Sequence, residues 1–82
     1  MPEAYYYLAL CHLSRHHYEK AYTNLTYILD NFPKYLKKTV YLFVGIAAKN
    51  MDKVDKGLVL VSKGIEKYPD YLDLYLYRAK LY

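Results

Sequence analysis

The apolar positions near the start of the chain recur with the period of an α-helix. Tyr5, Leu8, Ala9 and His12 fall at i, i+3, i+4 and i+7 and share one face, while Tyr6, Leu10 and Leu13 make an adjacent one. A helix apolar over so much of its circumference requires neighbours on more than one side. It is expected to run from Glu3 to about Ser14, with Arg15, His16 and His17 forming the following turn. A second helix is expected from about Tyr18 to Asn31, with Ala21, Leu25 and Ile28 as its inward stripe and Tyr18, Tyr22 and Leu29 beside it. Asn31 tolerates a left-handed cap, and Pro33 forbids continuation. So short a connection makes the two helices antiparallel neighbours.

The second half repeats the first. Lys34 to Lys38 form a basic linker that merges into a third helix ending near Asn50, whose inward face is Tyr41, Val44, Gly45 and Ala48. After a turn at Met51 to Lys53, a fourth helix runs to about Tyr68, with Gly57, Val61 and Gly64 inward and Pro69 beyond. Each of these glycines costs ~1 kcal/mol against alanine in a helix interior, so close backbone packing is the expected compensation. Asp52 and Asp55 suit the start of the fourth helix as cap residues, where the helix dipole favours negative charge. Asp70 is placed to cap a fifth helix, LDLYLYRAKLY. Tyr5, Leu8, Ala9, Ala21, Leu25, Ile28 and Pro33 each stand 36 residues before Tyr41, Val44, Gly45, Gly57, Val61, Gly64 and Pro69.

On these residues the chain resembles the tetratricopeptide repeat family. That motif has an aromatic, a leucine three places on and then a small residue in its first helix, as Tyr5-Leu8-Ala9 and Tyr41-Val44-Gly45 do. Its second helix carries small, bulky and small residues before a proline, matched by Ala21-Leu25-Ile28-Pro33 and Gly57-Val61-Gly64-Pro69. Tyr75, Ala79 and Tyr82 resemble the opening of a third unit, with Arg78 in place of its leucine. His12 and Ala48 stand where the family has a tyrosine, and both turns lack its glycine. The usual period is about 34 residues. The excess of two points to extra residues around Leu36 and Lys37.

The resemblance implies an all-α fold of about five helices, stacked as antiparallel pairs in a right-handed α-solenoid. The first repeat would span about 2–35, the second about 38–71, and a third would begin at about 72–82. Each pair leaves an apolar face that the next must cover. The chain is therefore expected to belong to a longer solenoid, or to an assembly that covers Tyr75, Tyr77 and Tyr82.

Composition adds limits. The chain has 82 residues, a net charge of +4 and 13 tyrosines but no tryptophan. Tyrosine suits half-exposed helix faces and contact surfaces, since its ring is apolar and its hydroxyl seeks a partner. The lone Cys11 excludes an internal disulfide and fits a reducing compartment, so an intracellular, cytoplasmic setting is expected. The longest apolar run, Val40 to Ala48, is far short of the ~20 residues of a membrane helix, and MPEAYYY does not open like a signal peptide. Asn24-Leu25-Thr26 matches a glycosylation acceptor but lies mid-helix.

By the resemblance, the first helix of each unit lines a concave groove. It would receive Tyr6, Leu10 and Leu13, then Leu42, Ile46, Lys49 and Asn50, then Asp73, Leu76, Tyr77 and Lys80. Some members clamp a C-terminal carboxylate with lysine, asparagine and arginine at such places; Tyr6, Leu10, Phe43, Asp73 and Tyr77 stand here instead, which argues against an acidic tail as ligand. The groove is apolar and aromatic, suited to a hydrophobic peptide or amphipathic helix of a protein partner. The alternative is that the same surface meets other parts of a parent chain, as a purely structural segment.

Other chemistry finds little support. Cys11, His12, His16 and His17 invite a metal reading, but no carboxylate joins them at a recognised ligand spacing, and a packed histidine beside a solvated turn is the better account. Lys34, Lys37 and Lys38, with Lys49, Lys53, Lys56, Lys63 and Lys67, suggest RNA binding as a rival function. The sequence KVDKGLVLVSKGIEKYPD loosely resembles a pentatricopeptide helix, yet polar base-reading residues are lacking and Asp52, Asp55, Glu66 and Asp70 are interspersed. Nucleic acid is therefore not the expected partner. No nucleophile elbow, phosphate-cradling loop or paired carboxylates occur, so neither an enzyme nor a bound cofactor is expected. The expected function is protein–protein interaction, as a scaffold or adaptor segment.

Overall fold

The computed structural model describes residues 1–35 and 37–81 and is built from five helices, with no strand among the described residues. They are α1 (Pro2–Ser14), α2 (Tyr18–Asn31), α3 (Thr39–Asn50), α4 (Val54–Lys67) and α5 (Leu72–Leu81). Pro2 enters the first turn of α1, where its missing N–H would have had no partner. Both expected prolines stop a helix: α2 and α4 end just before Phe32-Pro33 and Tyr68-Pro69.

The two turns that close α1 and α3 are copies of one another at a spacing of 36 residues. Arg15 and Met51 leave their helices at φ −96° and −93°. His16 and Asp52 follow in the left-handed region, at φ 62° and 59°. The amide of His16 donates to the Leu13 carbonyl at 3.1 Å and that of Asp52 to the Lys49 carbonyl at 3.1 Å. The amides of His17 and Lys53 then reach back to His12 and Ala48, at 2.7 and 2.9 Å. This paired return satisfies the last carbonyls of each helix.

Two expectations about caps are corrected here. Asp52 is not an N-cap: it is the left-handed turn residue, and Lys53 precedes α4 with no side-chain cap bond. Only Asp55 lies in the first turn of that helix. Nor does Asn31 form a left-handed cap. The residue before a proline is held to extended backbone, and Phe32 accordingly leaves α2 at φ −130° and ψ 64°. Tyr68, before Pro69, does the same at φ −130° and ψ 72°. Asn31 instead donates its side-chain amide to the Tyr27 carbonyl at 3.1 Å.

A left-handed conformation costs an L-residue ~1–2 kcal/mol, while glycine gives back roughly 0.5–1 kcal/mol of that in chain entropy. Asp52→Gly is therefore expected to stabilise the fold by about 0.5 kcal/mol, read as a rise of a few degrees in the thermal midpoint.

The period shortens past α2. Tyr35 donates to Phe32 and Tyr71 to Tyr68, 36 residues apart, whereas Val40 donates to Lys37 and Leu74 to Tyr71, 34 apart. The two extra residues thus lie between Tyr35 and Val40; Leu36, expected among them, is outside the described residues.

Packing follows chain order, each helix lying on the next, and α5 also touches α3. The buried residues form two clusters that meet at α3. Val40 and Val44 join Tyr6, Ala9, Leu25 and Ile28 on one side. On the other, Tyr41 and Leu42 pack with Val61, Leu74 and Leu81. Buried on both sides, α3 is apolar nearly all round.

One expected packing residue is not buried. Leu8, 36 residues before the fully buried Val44, is 49% exposed. Val44 is covered because α2 lies against that side of α3; no described helix lies against the same side of α1.

Candidate interaction surface

Helices α1, α3 and α5 carry all the residues expected to line a groove. Contacts bridge them in sequence. On α1, the Tyr6 hydroxyl shares a 2.6 Å hydrogen bond with the Thr39 hydroxyl of α3, and its ring lies 6.3 Å from that of Phe43. On α5, the Tyr77 ring lies against α3, 3.5 Å from where a Cβ at Gly45 would sit. That is ordinary contact; Gly45 is small because α4 needs the room, a Cβ there falling 2.6 Å from a Val61 methyl.

The predicted residues divide by exposure. Leu10, Leu13, Leu42, Ile46 and Tyr77 are half-buried, and Lys49, Asn50, Asp73, Leu76 and Lys80 are exposed. Tyr6 is a correction: at 4% exposure it belongs to the core and presents nothing to a ligand. It is buried because Tyr7, Tyr35 and Phe43 surround its ring. Asn50 also turns inward chemically, its amide donating to the Ile46 carbonyl at 2.9 Å. The exposed aromatic of α1 is Tyr7, which lies on neither of the two apolar faces.

Removing the Tyr6 hydroxyl should reveal its role. Tyr6→Phe is expected to cost ~1 kcal/mol, the usual net worth of one partly buried hydrogen bond. A double-mutant cycle with Thr39→Val in urea denaturation measures the coupling; additive losses would mean the 2.6 Å bond contributes nothing.

The lysines of the linker lie over aromatic rings. Lys37 Nζ is 5.1 Å from the centroid of Tyr6 and Lys38 Nζ is 4.7 Å from that of Tyr71, distances at which a cation is held by the ring quadrupole. Lys67 Nζ donates to the Pro33 carbonyl at 3.3 Å, tying the end of α4 to the end of α2. Burial raises the Tyr41 and Tyr77 phenols above the ordinary tyrosine range, with Tyr68 adding to the shift at Tyr41. Both stay neutral and act as packing rings.

The histidines border a cleft of about 750 Å³ between the ends of α1 and α2, lined also by Leu8, Lys20 and Asn24. His16 stacks on Tyr18 at 5.6 Å and His12 lies 5.9 Å from His17. Among the described residues, no three His, Cys, Asp or Glu side chains converge as metal ligands would. No helix of the described residues is long and apolar enough to cross a membrane. No family model, curated protein or solved structure matches the chain.

Proposed function

We propose that the chain is a non-enzymatic protein-interaction module of stacked helix pairs similar to tetratricopeptide repeats. On this reading 2–35 and 38–71 are two units, 72–82 opens a third, and the stack continues as an α-solenoid scaffold in the cytoplasm. The partner is an amphipathic helix or apolar peptide lying across α1, α3 and α5, over Leu10, Leu42, Ile46 and Leu76. The observation that carries it is the bridging of these three helices by Tyr6 and Tyr77, which leaves half-exposed apolar side chains along the joined surface. The repeated turns support the repeat assignment.

The test is affinity capture with the wild-type chain and a Leu10→Ala/Ile46→Ala variant, which leaves the buried Tyr6 in place. Partners retained by the wild type and lost from the folded variant support the surface; identical capture by both removes it. The rival, RNA binding, has its own signature. Binding to mixed RNA that survives ~0.3 M salt would overturn the proposal, because phosphate-driven affinity falls steeply with salt.

A further inference from the structure

Two histidines meet across the first turn. His12 lies in the last turn of α1 and His17 is the N-cap of α2, and the centres of their rings are 5.9 Å apart. The backbone fixes the pair. The His17 amide donates to the His12 carbonyl at 2.7 Å, with the left-handed His16 turning the chain between them. His12 is half-buried and held by its surroundings, whereas His17 is exposed and free to turn its ring.

The fold does not ask for histidine at either place. The matching turn of the second unit closes on the same backbone bond, from Lys53 to Ala48 at 2.9 Å, with alanine and lysine in their stead. Both imidazoles line the cleft between the ends of α1 and α2. Glu19 and Lys20 line it too, and their opposite charges offset one another.

Imidazole is a ligand of zinc, copper and nickel. Zinc bonds an imidazole nitrogen at ~2.1 Å, so one ion shared by two imidazoles spaces their ring centres by roughly 5–6 Å. The 5.9 Å between His12 and His17 falls in that range. We propose that His12 and His17 chelate one divalent transition-metal ion of the zinc class. Their nitrogens take two of its coordination positions, and the open cleft leaves the others to solvent, as in an exchangeable site and unlike a closed structural one. The pair holds the ion more tightly than a single imidazole because the second nitrogen is delivered from the same chain. Bound there, the ion ties the last turn of α1 to the start of α2 and stiffens the first helix pair.

Zinc chloride titrated into the 82-residue chain, followed by isothermal titration calorimetry, is the test. One ion per chain is expected, and the thermal midpoint should rise as zinc is added. His12→Ala, which installs the residue that stands at Ala48, and His17→Gln are each expected to weaken binding about tenfold or more. The double variant should lose little further, since either substitution ends the chelate. His16→Ala and Cys11→Ser are expected to leave the affinity within about twofold of the wild type. Circular dichroism without zinc checks that each variant keeps its helices; His17 is exposed, so His17→Gln decides should His12→Ala disturb them. Small, additive losses at His12 and His17 would mean independent imidazoles and overturn the proposal. So would loss of binding with Cys11→Ser, which would assign the ion to the thiol. A wild-type chain without saturable zinc binding overturns it outright.

Discussion

Replacing Gly64 with alanine is expected to destabilise the protein by about 2 kcal/mol, although alanine is the better helix former. The intrinsic gain is ~1 kcal/mol in a helix interior. Against it stands the approach of α3: the added Cβ would lie 2.6 Å from Tyr41 Cβ, 2.8 Å from Tyr41 Cγ and 3.0 Å from a Leu74 methyl. The first two atoms sit at the root of a side chain and cannot swing away without moving α3. Overpacking of this kind costs typically 1–3 kcal/mol, and here two helices would have to part. Gly57, two stripe positions earlier on the same helix, is the control. Its added Cβ meets Ala48 Cβ at 3.4 Å and nothing nearer, so Gly57→Ala is expected to be neutral or stabilising by up to ~1 kcal/mol. Urea denaturation of the two variants checks the contrast. Stabilisation of both variants would show that backbone entropy, and not the α3–α4 approach, governs both glycines.

The contrast marks where sequence reading ends. Helix positions were legible because the apolar period is 3.6 and because Pro33 and Pro69 punctuate it, and the five elements lie within a residue or two of their expected bounds. The repeat was legible for the same reason. Periodicity assigns a residue to a face, but it does not say which faces find a neighbour. It therefore grouped Leu8 with the packed residues and left Tyr6 free, and the structure reverses both. Nor could it distinguish Gly57 from Gly64, which have the same residue type on the same stripe but different depths of contact. The left-handed turns at His16 and Asp52 were hidden because neither residue is glycine. The inconspicuous Thr39 became important only when α1 and α3 brought Tyr6 to it. Tyr82, expected to continue the α5 face, lies outside the described residues.

Leu25→Ala is expected to be the most damaging single truncation, at about 3 kcal/mol, and Leu8→Ala to cost less than ~1 kcal/mol. Leu25 is wholly buried in the cluster that joins α1, α2 and α3, among Tyr6, Ala9, Ile28, Val40 and Val44. Its removal leaves a cavity whose walls belong to three helices, so collapse onto it requires all three to shift. For a domain of this size ~3 kcal/mol is a large share of the total, and the thermal midpoint should fall by more than ~10 °C. Leu8 differs in one respect only: its side of α1 has no helix against it, and it is 49% exposed. The comparison therefore reads out coverage in solution. A small loss at Leu8 means that side of α1 is open in the isolated chain. A loss approaching that at Leu25 would mean that something covers Leu8, and a midpoint that rises with protein concentration would identify it as another copy of the chain.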